Sequence, residues 1–167
     1  DFSHLKFDQS MITSLEAIEL TRRDGNTHVE ISARLTAARV SITTGEVESA
    51  QEQASRLSEL SERLGDRYWL GTALALNANI AALRGDWNLS REFNERALEL
   101  SPHDPIPVSY LAMLEHEVGN FAKGNQHLEK LLEIVAVSRP GQRAVFLFPP
   151  LIIGLSARIT GEDDRFD

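Results

Sequence analysis

Residues 84–90 read Arg84-Gly85-Asp86-Trp87-Asn88-Leu89-Ser90, and the first three have counterparts elsewhere in the chain. Thr44-Gly45-Glu46, Val118-Gly119-Asn120 and Thr160-Gly161-Glu162 share one form: any residue, a glycine, then an acid or its amide. The glycines lie 40, 34 and 42 residues apart, the range of helix-hairpin repeats. The flanks agree. A tiny residue stands seven positions before each glycine (Ala38, Ala78, Ala112, Gly154) and another five positions after the first three (Ala50, Ser90, Gly124). Two positions after those same three glycines come Val47, Trp87 and Phe121. A hairpin of two helices accounts for all of this. The glycine ends the first helix in a left-handed conformation, and the acid or amide accepts hydrogen bonds from the free N–H groups of the second. The tiny residues let the axes approach, and the bulky one closes the end of the hairpin.

Outward from these bends the apolar residues keep helical spacing. Met11, Leu15 and Ile18 form one stripe; Val47, Ala50, Ala54, Leu57 and Leu64 another; Phe93, Ala97 and Leu100 a third; Phe121, Leu128, Leu131, Leu132 and Val135 a fourth. No strand-like alternation is sustained. The pattern predicts eight helices at about 9–23, 27–43, 47–64, 67–83, 87–100, 105–118, 121–136 and 147–160. Gly25 and Gly65 end the helices that close one unit before the next begins, and Asp104-Pro105 is a cap followed by a first-turn proline. Pro149 and Pro150 fall where the last helix should start, where a missing N–H is tolerated. The expected fold is all-α, an array of helical hairpins in an α-α superhelix. Residues 1–24 complete a preceding hairpin, 25–64, 65–102 and 103–138 form three repeats, and 139–167 hold the first arm of an incomplete fourth.

At 167 residues, 42 % hydrophobic and 25 % charged, the chain is in the globular range and long enough to bury a core. Its net charge of −8 disfavours direct contact with nucleic acid or an anionic membrane. The absence of cysteine excludes disulfides, thiolate metal sites and cysteine nucleophiles. The longest apolar stretch, Ala144 to Leu155, is about half a bilayer crossing and contains two prolines. The chain opens on Asp1 with no basic-then-apolar leader and closes on Gly161-Glu162-Asp163-Asp164-Arg165-Phe166-Asp167, which has the look of another element's beginning. A fragment of a longer cytoplasmic protein is expected.

These residues carry a family likeness. Trp87 through Pro102, with Gly85, Asp86, Ser90, Ala97 and Leu98, resembles the second helix of a tetratricopeptide repeat. The stretch from Leu64-Gly65-Asp66-Arg67 to Pro102 is similar to the roughly forty-residue repeat of bacterial LuxR/MalT-type transcriptional regulators. Similar arrays accompany some bacterial adenylate/guanylate cyclases. The segment from Leu151 to Gly161 resembles the late repeats of such arrays, so the likeness covers residues 25 to 161. Asn94 and Ala54 stand where the family usually carries an aromatic. The resemblance implies first helices on a concave face and second helices on a convex one.

Counting back from each glycine places Leu35, Arg39, Ala75 and Asn79 towards that groove, followed by Ser109, Met113 and His116, and then Phe148, Leu155 and Arg158. Apolar residues mixed with a few donors suit a peptide or a helix. Some tetratricopeptide domains grip a partner's terminal carboxylate with lysines and asparagines. Asn79 matches one such place, but Ala75 and Leu35 stand where lysine is needed, so chaperone-tail binding is not expected. Arg84-Gly85-Asp86 spells a cell-adhesion tripeptide, but the other bends have the same form without arginine. His4, His28, His103, His116 and His127 are scattered without metal-ligand spacing, and no phosphate loop, nucleophile elbow or catalytic carboxylate pair is present. Glu59, Glu62, Glu95, Glu99, Glu129 and Glu133 fall on the solvated faces of second helices.

The functional expectation is a non-catalytic interaction or sensing region of a bacterial transcriptional regulator, without cofactor or metal, binding a peptide, partner protein or adjacent domain on its concave face. A scaffold within a cyclase or ATPase polypeptide is the alternative in the same class. A small-molecule or enzymatic pocket near Met113, His116, Phe148 and Arg158 is the alternative in another. Helix 147–160 presents Phe148, Leu151, Ile152, Leu155 and Ile159 with few polar residues. An uncovered apolar face of that kind is expected to pair with the next hairpin or a second copy, giving a homodimer of the fragment.

Overall fold

The computed structural model describes residues 6–137. They form α1 (Phe7–Asp24), α2 (Thr27–Thr44), α3 (Val47–Leu64), α4 (Arg67–Leu83), α5 (Trp87–Leu100), α6 (Pro105–Glu117) and α7 (Phe121–Val137), with no strand among the described residues. The eighth expected helix, 147–160, and Gly154 lie outside the described residues, as do Phe148, Leu151, Ile152, Leu155, Arg158 and Ile159.

Each helix packs against the next along the chain, and α4 also touches α6 directly. The bends explain the order. At Gly85 the chain takes φ 77°, a conformation a Cβ would strain, and the helix ends in two closing bonds. The Gly85 N–H donates to the Ala82 carbonyl at 2.9 Å and the Asp86 N–H to the Ala81 carbonyl at 2.9 Å. The Asp86 carboxylate then accepts the Leu89 N–H at 3.1 Å and starts α5. Asn26, Asp66 and Asp104 cap α2, α4 and α6 in the same way.

Two bends depart from the expected capping. Glu46 makes no side-chain cap, being one methylene longer than the residues that favour this position. Asn120 turns its amide nitrogen to the buried carboxylate of Glu115 at 3.1 Å, because that group needs donors. The tiny residues behave as a set. Ala38, Ala50, Ala78 and Ala112 have 0 % exposure, and Ser90 and Gly124 are buried with them. The bulky residues after the bends do not. Val47 packs on the core, but Trp87 and Phe121 remain 37 % and 49 % exposed, because a first-turn residue at the rim of a hairpin is covered from one side only.

The apolar interior is concentrated in α2–α4, where Ile31, Leu57, Leu60, Leu76 and Ile80 interlock with the small alanines. Each such side chain contributes about 1.5–3 kcal/mol by leaving water. A smaller cluster of Val108, Leu128 and Leu131 joins α6 to α7. Among the described residues no helix is long and apolar enough to cross a membrane.

Candidate functional site

A cavity of about 520 Å³ opens where α2, α4 and α6 converge. From α2 come Leu35 and Arg39, one turn apart on the same face. From α4, the central wall, come Tyr68, Thr72, Ala75, Leu76 and Asn79, at helical spacing over three turns. The α5–α6 link and α6 close the third side with Ser101, Asp104, Pro105, Ile106 and Tyr110. Ala75, 8 % exposed, gives the wall its depth.

The polar groups gather at the Asn79 end. The Asn79 amide donates to the Tyr110 hydroxyl at 3.3 Å, joining α4 to α6. Burial pushes the Tyr110 phenol above its ordinary range, while the Arg39 charge and the Asn79 bond act against the shift. Arg39 is exposed and makes no ion pair among the described residues. Asp104 is the one carboxylate on the wall. Burial raises its pKa, opposed by the Ile106 N–H that it accepts at 3.0 Å. At the opposite end Tyr68 is 69 % exposed and sits edge-on to Trp69, with ring centroids 5.1 Å apart.

Four of the residues counted back from the glycines, Leu35, Arg39, Ala75 and Asn79, therefore line one space. Ser109 and His116 do not. Ser109 is fully buried and donates its hydroxyl to the Pro105 carbonyl at 2.6 Å. His116 is 5 % exposed, with Nδ1 2.7 Å from the Ala112 carbonyl and Nε2 3.1 Å from the Asn125 side-chain oxygen. Met113 is half-buried and off the cavity wall. α6 meets the cavity with Ile106 and Tyr110, the row equivalent to Thr72 and Leu76 of α4, one residue on from the row counted from the glycine. A wider count on α4 would have carried that row across to α6.

The cell-adhesion tripeptide is occupied by the fold. Arg84 donates to the Gln51 side chain at 3.1 Å and Asp86 caps α5. A second cavity of about 520 Å³, between α1 and α2, has a rim of small hydroxyl-bearing residues such as Ser10, Thr13, Ser32 and Thr36. Among the described residues no three of His, Asp and Glu come close enough together to hold a metal ion. No protein-family model matches the chain, and no curated protein matches it.

Proposed function

We propose that this chain is a non-catalytic interaction region that takes a peptide, or a segment of a neighbouring domain, in the groove between α2, α4 and α6. Its hairpins belong, on this reading, to the tetratricopeptide-like class, and the larger protein is a bacterial transcriptional regulator of the LuxR/MalT type. The supporting observation is the cavity built by three successive first arms. It is mainly apolar, carries a few polar groups at one end and an exposed aromatic at the other, and this mixture suits recognition of a side-chain sequence.

The test uses the 167-residue chain and a dodecapeptide selected on it from a random library. Bound peptide should slow hydrogen exchange in α2, α4 and α6, and Thr72→Trp, which fills the half-buried centre of the groove, should abolish binding. Glu95→Ala, on the exposed face of α5, should leave binding unchanged. Protection confined to α3, α5 and α7, or binding indifferent to Thr72→Trp, would overturn the groove as the binding surface.

A further inference from the structure

We infer that the groove selects an extended peptide in which an acidic side chain lies a few residues from an apolar one, with Arg39 as the partner of the acid; this rests on the groove reading above and narrows it.

The charge balance points there. Among the twelve residues that line the cavity Arg39 is the one cation, and it forms no ion pair among the described residues. The cavity's own carboxylate, Asp104, is committed to the start of α6 through the Ile106 N–H. A guanidinium beside the Asn79 amide and the Tyr110 phenol forms a polar end that matches the planar oxygens of a carboxylate. A basic peptide would meet a like charge there. A wholly apolar one would cover that charge without replacing its water.

Length fixes the rest. From Tyr68 to Asn79 along α4 is about 16 Å at 1.5 Å per residue, the span of roughly five extended residues. An acid at the Arg39 end therefore places an apolar side chain within reach of Leu76, Ile106 and the exposed Tyr68 ring.

The experiment screens the full chain against a library of heptapeptides acetylated at the N-terminus and amidated at the C-terminus, so that only side chains supply carboxylates. Enriched sequences should carry Asp or Glu two to five residues from a large apolar residue. Replacing that acid by its amide should weaken binding about tenfold, the size of a partly buried charge-assisted bond. Arg39→Glu should lose the acidic peptide and gain its lysine counterpart, while Arg39→Leu should bring the Glu, Gln and Lys forms level. Circular dichroism melting of both variants checks that they fold. Enrichment without acidic preference, yet lost in Thr72→Trp, overturns the present inference and leaves the groove reading standing. Enrichment indifferent to Thr72→Trp, or none at all, overturns both. A neutral peptide with a free C-terminal carboxylate binding as well as the acidic amide would move the carboxylate to the chain end and overturn the side-chain assignment.

Discussion

The α2–α3 hairpin buries Glu30 against its own Arg34 and the α6–α7 hairpin buries Glu115 against Arg91 of α5 and its own Lys123, and the two burials differ. In the first, both partners are enclosed. Glu30 and Arg34 are 6 % and 7 % exposed, with the guanidinium donating twice to the carboxylate at 2.8 and 2.9 Å and once across to Gln53 of α3 at 2.7 Å. In the second only the carboxylate is enclosed. Glu115 is at 0 %, whereas the Arg91 and Lys123 side chains that approach it at 2.6 and 3.3 Å are 24 % and 35 % exposed. The pairs therefore differ in what happens when the acid is removed. Arg34 is left with Gln53 and little access to solvent, but Arg91 and Lys123 can turn outward and hydrate.

The largest effect should come from the enclosed pair. Glu30→Ala strands a buried guanidinium and is expected to cost about 3–5 kcal/mol. The double variant Glu30→Ala, Arg34→Met should be more stable than the single one, because no unpaired charge remains. Urea unfolding followed by circular dichroism measures both. A double variant that falls below the single would show that packing, not the stranded charge, carries the cost.

A smaller loss is expected at the open pair. Glu115→Ala removes charge-assisted bonds worth about 1.5–3 kcal/mol, and its released cations return to solvent. The same hairpin should weaken with acid. Burial alone would raise the Glu115 pKa, but the bonds from Arg91 and Lys123 and their charges outweigh it and hold it below its ordinary 4.5. Burial, aided by the Lys123 and Lys130 charges, lowers His127 below its ordinary 6.5. For both groups the unfolded chain binds more protons than the folded one, so stability rises with pH. The His127 contribution is complete above about 6.5 and is lost as pH falls through its lowered folded value. That of Glu115 is complete above about 4.5 and is lost further down. Hydrogen exchange in α7, corrected for intrinsic rates, should accelerate on acidification from neutrality, and Glu115→Gln should remove the lower part of that response. A variant with the unaltered profile would remove Glu115 as its source.

The same contrast marks what could be read from sequence. Bends and helix bounds were legible because they are local: a glycine at positive φ, a capping acid and a tiny residue at fixed offsets are decided within a few residues. α3, α4 and α5 begin and end at the expected positions. A third of the cavity lining was legible for the same reason, since Leu35, Arg39, Ala75 and Asn79 hold their register relative to their own glycine. Tyr110 was not. Its row on α6 is not the one counted from the glycine, and which row meets the cavity is decided by contacts distant in sequence, here with Asn79 of α4. Nothing local marks Glu115 as interior; its partner Arg91 lies 24 residues earlier on another helix, beyond the reach of any short offset.

The smallest effects contrast two helical glycines, Gly124 of the small-residue set in α7 and Gly71 of α4, which lies outside that set. In α7 a Cβ at Gly124 would come within 2.5 Å of His116 Nδ1 and 2.6 Å of its Cε1. The ring is 5 % exposed, with Nδ1 2.7 Å from the Ala112 carbonyl, so it has little freedom to give way. Gly124→Ala should therefore cost about 1–3 kcal/mol despite alanine's better helix propensity. In α4 a Cβ at Gly71 meets nothing within 4 Å, so Gly71→Ala should gain about 1 kcal/mol. Thermal melting of the two variants should move in opposite directions. If both rise, His116 yields and the close approach of α6 and α7 does not require glycine. If both fall, the room beside Gly71 serves something that a methyl group disturbs, and the α2–α4 region is packed as tightly against change as the α6–α7 hairpin.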